Sequence, residues 1–219
     1  MYEIRLWLSK KGRIKFVSHL DMFRLMQRAV RRAQIPLWYT EGFNPHPYIS
    51  FLLALSLGVE GEMEPVDLRI VGEITPEEIK NRLNDAFPEG LRCEAALPPE
   101  HKPAEIAFAR YLTVLSKQEI TAQELTEALN CGTLTTEKSG KSRGKKVIKT
   151  VNVSEHIKNY EIAEDDAHIY LTVVLPAGST FNLNPIQLME AVSGRLGRTV
   201  TPENTVRRRL LREDLSEFR

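Results

Sequence analysis

One order of elements is spelled twice along these 219 residues, and it restricts the fold more than any composition figure does. Tyr2, Ile4, Leu6 and Leu8 alternate with Glu3, Arg5 and Trp7, the period of a half-buried strand. Lys10-Lys11-Gly12 is a turn, from which residues 13–17 are read as pairing back in a hairpin. Ser18 then opens a helix. Its hydroxyl can accept from first-turn amides, and Asp21, three residues on, suits both a capping box and the positive end of the helix dipole. Leu20, Phe23, Met26, Val30 and Ala33 recur at steps of three and four and form the expected buried face. The helix should end before Pro36. Residues 49–57 (ISFLLALSL) and 64–71 (EPVDLRIV) read as strands. Thr75 caps and Pro76 starts a second helix, with Ile79, Leu83 and Phe87 on its apolar side, and residues 91–97 give a closing strand. The order β-α-β-β-α-β is the split, ferredoxin-like pattern.

The polar, proline-rich run PPEHKP at 98–103 marks a boundary, and a similar order follows it. Residues 107–115 read as a strand, Thr121 caps a helix to Asn130, and 133–138 with 145–151 are the arms of a hairpin. Residues 168–175 alternate as a strand. A helix from Pro185 to Leu196 is capped by Asn184 and closed by Gly197. The tail TVRRRLLRE fits a strand or a helix. The expected architecture is therefore α+β: two tandem ferredoxin-like halves with antiparallel sheets, residues 1–98 and 106–219. The echo is one of pattern, since no residue-level repeat stands out.

Composition narrows function only by exclusion. Lys and Arg total 30 against 29 Asp and Glu, so overall charge names no partner and only clustering can. No apolar run is long enough to span a bilayer and the N-terminus reads directly as a strand, so a cytoplasmic chain without membrane contact is expected. Cys93 and Cys131 fit no metal-ligand spacing, and there is no cysteine set for an iron–sulfur cluster. No metal site and no disulfide are expected. No phosphate-binding glycine loop, dinucleotide fingerprint, HExxH or GxSxG is present.

The clustering lies in residues 16–47, FVSHLDMFRLMQRAVRRAQIPLWYTEGFNPHP. Arg24, Arg28 and Arg31 follow helical steps beside the apolar face, and Arg32 extends the row from Arg28. Guanidinium groups bind phosphate through paired hydrogen bonds, so the row suits a nucleic-acid backbone or phosphate ester. A solvated helix surface with ordinary ion pairs is the simpler account, and the adjoining loop weighs against it. Gly42 permits backbone angles closed to other residues, while Pro45 and Pro47 stiffen the chain around Asn44 and His46. A stiff loop loses less entropy on binding. Tyr39, Phe43 and Tyr48 are candidates to stack on an unpaired base. His19, in the first turn of the helix, is a second imidazole for the same site. In the second half Lys138, Lys141, Arg143, Lys145, Lys146 and Lys149 surround a glycine-containing hairpin tip that could follow phosphates. Arg207, Arg208 and Arg209 form a third basic cluster. Glu60, Glu62, Glu64 and Asp67, then Glu73, Glu77 and Glu78, supply a segregated acidic region.

The runs F-x-SHLD, RA-x-RRA, GFNPHP-x-ISF and LG-x-E, all within residues 13–67, resemble a radical-SAM-linked bacterial family, a domain of unknown function. That domain stands alone or is joined to a B12-binding radical SAM protein. The resemblance implies RNA or ribosome modification with a radical SAM partner. S-adenosylmethionine, the iron–sulfur cluster and cobalamin would then belong to the partner, with none bound by this chain. Two functions follow. One is an RNA- or anion-binding accessory module. The other is a metal-independent ribonuclease in which His46 and His19 act as general acid and base beside the arginines. A minor third has His46 as a cobalt ligand to the partner's cofactor.

Overall fold

The computed structural model describes residues 1–142, 145–178 and 181–219, for 138–142 and 145–147 the backbone alone. Its first part runs β1 (Tyr2–Lys10), a 3-10 turn over Gly12–Phe16, α1 (His19–Arg32), β2 (Ile49–Phe51), β3 (Glu60–Ile70), α2 (Pro76–Ala86) and β4 (Leu91–Leu97). Then come β5 (Phe108–Ser116), α3 (Ala122–Leu129), β6 (Thr135–Ser142), β7 (Lys145–Asn152), β8 (Asn159–Glu164), β9 (His168–Pro176), α4 (Pro185–Leu196) and β10 (Asn204–Leu211). One sheet runs β4-β1-β3-β10-β5-β9-β8, with β2 also paired to β3, while β6 and β7 form a separate ribbon. Every pairing is antiparallel except β3 with β10. The fold is thus mixed α+β with a mostly antiparallel sheet that continues through both halves.

The helices begin where capping chemistry places them. Ser18 accepts from the Asp21 amide at 3.2 Å and Thr75 from the Glu78 amide at 3.2 Å. Thr121 with Glu124 and Asn184 with Gln187 form reciprocal capping boxes. Gly197 closes α4 in the left-handed region, at φ 67°. Ile4, Leu6 and Leu8 of β1 join one core with Met22, Met26, Ala29 and Val30 of α1 and Ile79 and Leu83 of α2. On the opposite register Trp7 packs edge-on against Phe218, ring centres 6.2 Å apart. Both faces of β1 are therefore covered, which explains its continuous burial from Ile4 to Lys10.

Several expectations fail for local reasons. Residues 13–17 do not pair back as a hairpin. Lys10 Nζ takes the carbonyls of Val17 (2.9 Å) and Lys15 (3.4 Å), Ile14 turns into the core, and a 3-10 turn results. The strand expected over 49–57 stops at Phe51, because the carbonyls of Leu53 and Ala54 accept from Arg207 at 3.0 and 3.2 Å. Leu20 is 58% exposed, and Met22 takes its place in the buried face. Residues 159–164 form an edge strand that their polar composition concealed. The tail is a strand, central in the sheet.

The first four acids of the supposed acidic region are ion-pair partners strung along β3, while Glu77 and Glu78 pair within α2 with Lys80 and Arg82. Glu60 faces Lys15 (3.8 Å), Glu62 faces Arg209 (4.0 Å), and Asp67 binds Arg5 through both oxygens, at 2.7 and 3.0 Å. Glu64 binds Arg207 through both oxygens. Arg207, Arg208 and Arg209 are consequently not one basic cluster. Arg207 is 2% exposed and paired, and Arg209 reaches Glu217 at 3.6 Å. Glu64→Ala should lower stability by about 3–5 kcal/mol, because it strands a buried guanidinium. Replacing the pair together, Glu64→Leu with Arg207→Met, should recover much of that loss in denaturant unfolding. Equal losses would contradict the pairing as the cause.

Candidate nucleic-acid interface

The outer face of α1 follows from its buried one. With Met22, Met26, Ala29 and Val30 turned inward, Arg24, Arg28 and Arg31 face solvent. Arg24 pairs with Asp21 at 2.9 Å. The Ser18 hydroxyl first, then Arg24, holds the Asp21 carboxyl below its ordinary range. The guanidinium groups of Arg28 and Arg31 make no hydrogen bond or ion pair among the described residues. Arg32 leaves the row: its guanidinium donates to the Ala86 carbonyl and so satisfies the end of α2.

Residues 37–48 form an irregular hairpin hung from the end of β3. Leu37 bridges Ile70, the Trp38 amide donates to the Arg69 carbonyl at 2.8 Å, and the Tyr48 amide donates to the Trp38 carbonyl at 2.9 Å. Farther out, Tyr39 bridges Pro47 and the Thr40 amide donates to the His46 carbonyl at 2.9 Å. The Arg69 guanidinium lies over Trp38 (4.9 Å) and Tyr48 (4.4 Å) and pairs with Glu3 at 2.8 Å. Tyr48 is therefore engaged by Arg69 rather than open to a base. Phe43 is fully exposed and Tyr39 45% exposed. Gly42 has φ 129°, the left-handed region in which its lack of a side chain matters. Asn44 and His46 are exposed beside them.

His46 Nδ1 lies 2.6 Å from Thr40 Oγ1, and the His46 amide donates to that same oxygen at 3.2 Å. Thr40 thus holds both the backbone and the ring of His46, with the direction of the ring's bond following the imidazole tautomer. His19 does not join it. It sits at the opposite end of α1, edge-on to Phe51 with ring centres 5.4 Å apart. The two histidines, expected at one site, are held by different partners. His19 instead borders a cleft with Lys10 and Glu64. Burial lowers the Lys10 pKa, with Glu64 opposing that and Arg207 adding to it. Lys10 escaped the sequence reading although it continues the inward register of Ile4, Leu6 and Leu8.

Arg143 lies outside the described residues, as do the side chains of Lys138, Lys141, Lys145 and Lys146; Lys149 is exposed. Burial pushes the Cys93 thiol up to about 12, an inert core position. Among the described residues no group of His, Cys, Asp or Glu is arranged to hold a metal ion, and no helix is long and apolar enough to cross a membrane.

An α+β chain with one continuous sheet and an exposed arginine row defines a class, and comparison with known families supplies its membership. Residues 3–185 match DUF2344, described as an uncharacterized protein conserved in bacteria, and the chain belongs to that family. No curated protein matches the sequence. Among solved structures the fold is similar to that in a Cbf5-Nop10-Gar1 complex, with TM-score 0.54 and 12% identity over 96% of this chain and 50% of that one. It is also similar to a chain of an H/ACA RNP bound to a substrate RNA containing 2'-deoxyuridine, with TM-score 0.51 and 9% identity over 95% and 47%. The chain spans about half the length of these structures.

The Arg69 clamp has a measurable consequence. Arg69→Leu should speed hydrogen exchange at the Thr40 and Tyr48 amides, while exchange at the core amides of β1 stays unchanged. Uniform acceleration across both regions would show that Arg69 supports the whole fold rather than the hairpin.

Proposed function

We propose that the chain is an RNA-binding module that holds RNA for another enzyme. The observation that carries this reading is the row Arg24, Arg28 and Arg31, exposed on a helix whose opposite face is core and whose end leads into a stapled hairpin bearing Phe43 and Tyr39. Phosphate neutralisation supplies most of the affinity of such surfaces, and exposed aromatic rings add stacking. The structural similarity to chains from RNA–protein complexes supports an RNA-related role through fold alone. The strand orders β4-β1-β3-β2 and β10-β5-β9-β8 support reading the chain as two ferredoxin-like halves, the second with the β6–β7 ribbon inserted. On the resemblance of the SHLD and GFNPHP motifs, the enzyme served is a B12-type radical SAM protein, which brings its own cofactors. The lysines of the β6–β7 ribbon are a second candidate for phosphate contact.

The ribonuclease reading is weaker, because His46 is bonded to Thr40 and His19 is packed on Phe51 at the other end of α1, so these two do not face one phosphate. Arg28→Ala with Arg31→Ala should weaken single-stranded RNA binding about tenfold at ~0.1 M salt. Removing two phosphate contacts should also reduce the salt slope by about 1.4. Melting temperature should stay nearly constant, and unaltered affinity at fixed salt would sink the interface. Purified protein without metal should leave RNA intact, and His46→Ala should change affinity alone. Cleavage abolished by His46→Ala, a loss of roughly a hundredfold or more for a general acid or base, would instead establish the nuclease.

A further inference from the structure

The eight-stranded sheet ends at β4 on one side and at β8 on the other, and the two edges are finished differently. On β4 the side chain of Asn84 stands in for a missing strand. Its Nδ2 donates to the Cys93 carbonyl at 3.0 Å, and its Oδ1 accepts from the Cys93 amide at 2.8 Å. No such plug covers β8 among the described residues. The Asp165 amide donates to the His168 carbonyl at 3.1 Å, so in the register of β8 with β9 the backbone groups of Ala163 and Glu161 also point to β9. Those of Tyr160, Ile162 and Glu164 point outward, and they meet no partner among the described residues. An unpaired row of this kind is a template for another strand.

The side chains along this edge select what can add to it. Residues 159–166 carry the acids Glu161, Glu164, Asp165 and Asp166, all exposed, and no lysine or arginine. Glu164 meets Lys117 at 3.2 Å and Asp165 meets His168 at 3.5 Å. Glu161 and Asp166 make no ion pair among the described residues. Lys158, just before the strand, is laid over Phe108 with its Nζ 5.2 Å from the ring centre. A second copy of β8 would bring the same acids against themselves, and RNA phosphates would be repelled. Opposite charges facing each other across strands stabilise a pair, and like charges destabilise it. We propose that β8 is a docking edge, to which a partner protein adds a basic, extended segment as one further strand. Main-chain hydrogen bonds to residues 160, 162 and 164 supply the affinity, and the acids, Glu161 first, supply the selectivity. Docking here does not depend on RNA binding at α1, which uses the opposite charge.

The probe is a capped peptide of alternating valine and lysine, compared with a counterpart in which glutamate replaces lysine. Hydrogen exchange of the full chain is followed by NMR with each peptide at fixed salt. The lysine peptide should slow exchange at the outward amides of Tyr160, Ile162 and Glu164, while those of Glu161 and Ala163, already directed to β9, change little. It should bind about tenfold more tightly than the glutamate peptide, as cross-strand charge pairs turned from attraction to repulsion imply. Glu161→Lys should erase that preference. Glu164→Pro, which removes one outward N–H at an exposed edge position, should weaken the lysine peptide and leave the melting temperature nearly unchanged. Unslowed exchange at the three outward amides with millimolar lysine peptide, or equal binding of the two peptides, overturns the docking edge. So does protection of these amides that rises with protein concentration in the absence of peptide, which would make β8 a self-pairing edge.

Discussion

The buried guanidinium of Arg207 ties together β3, β5 and the chain after β2. β3 and β10 share only two register pairs, Val206 with Glu60 and Arg207 with Gly61, yet this parallel contact joins the strands of the two halves into one sheet. Arg207 reinforces it by binding Glu64 of β3, the carbonyls of Leu53 and Ala54, and Tyr111 of β5. Burial, the largest single influence, opposes the charge, and Glu64 together with Tyr111 outweighs it and raises the arginine's pKa. Gly61 is part of the device. A Cβ there would lie 2.5 Å from Glu64 Cγ, so a side chain at 61 would displace the carboxylate that Arg207 needs. Arg5 does the corresponding work beside Asp67, reaching the carbonyls of His101 and Arg219 at 3.0 and 2.9 Å. Two arginines thus tie segments distant in sequence to a single strand.

These pairs also mark the limit of what the sequence discloses. Local signals were readable: Ser18, Thr75, Thr121 and Asn184 cap the helices they were expected to cap, and alternation in β1 and β9 located those strands. A cap or a period depends on neighbours within one turn. The destination of Glu64 depends on Arg207, far along the chain, and no local pattern announces it. Read linearly, Glu60 to Asp67 looked like an acidic patch and Arg207 to Arg209 like a basic one. In the sheet Glu64 pairs with Arg207 and Glu62 with Arg209, while Glu60 and Asp67 go to Lys15 and Arg5. β2 ended early for the same reason, since the carbonyls needed for more ladder go to Arg207.

The interface shows the same division. Helical spacing placed Arg24, Arg28 and Arg31 on one outward face. It could not show that Arg32 turns to the end of α2, because that depends on where α2 stops. The prolines around His46 signalled rigidity. The agents that fix the hairpin, Arg69 between Trp38 and Tyr48, come from β3 and were invisible to local reasoning. Lys10 was missed for the opposite reason. Its position on the inward register was visible, but a lysine at a strand end is normally read as leaving the core.

Geometry along α1 gives the proposed function a direction. The helix has 14 residues, so it spans ~21 Å, the length of about six stacked nucleotides at ~3.4 Å each. The stapled hairpin begins five residues after the helix's last, and Arg28 and Arg31, whose guanidinium groups have no partner among the described residues, lie before it. A single strand bound along this helix would have one end at Phe43. That end is set before any ligand arrives, by Arg69 beneath the hairpin. A preset end reduces the ordering entropy of binding, which is what a presenting module requires. A catalyst would require in addition two titrating groups converging on one phosphate, and His19 and His46 are placed at opposite ends of this track.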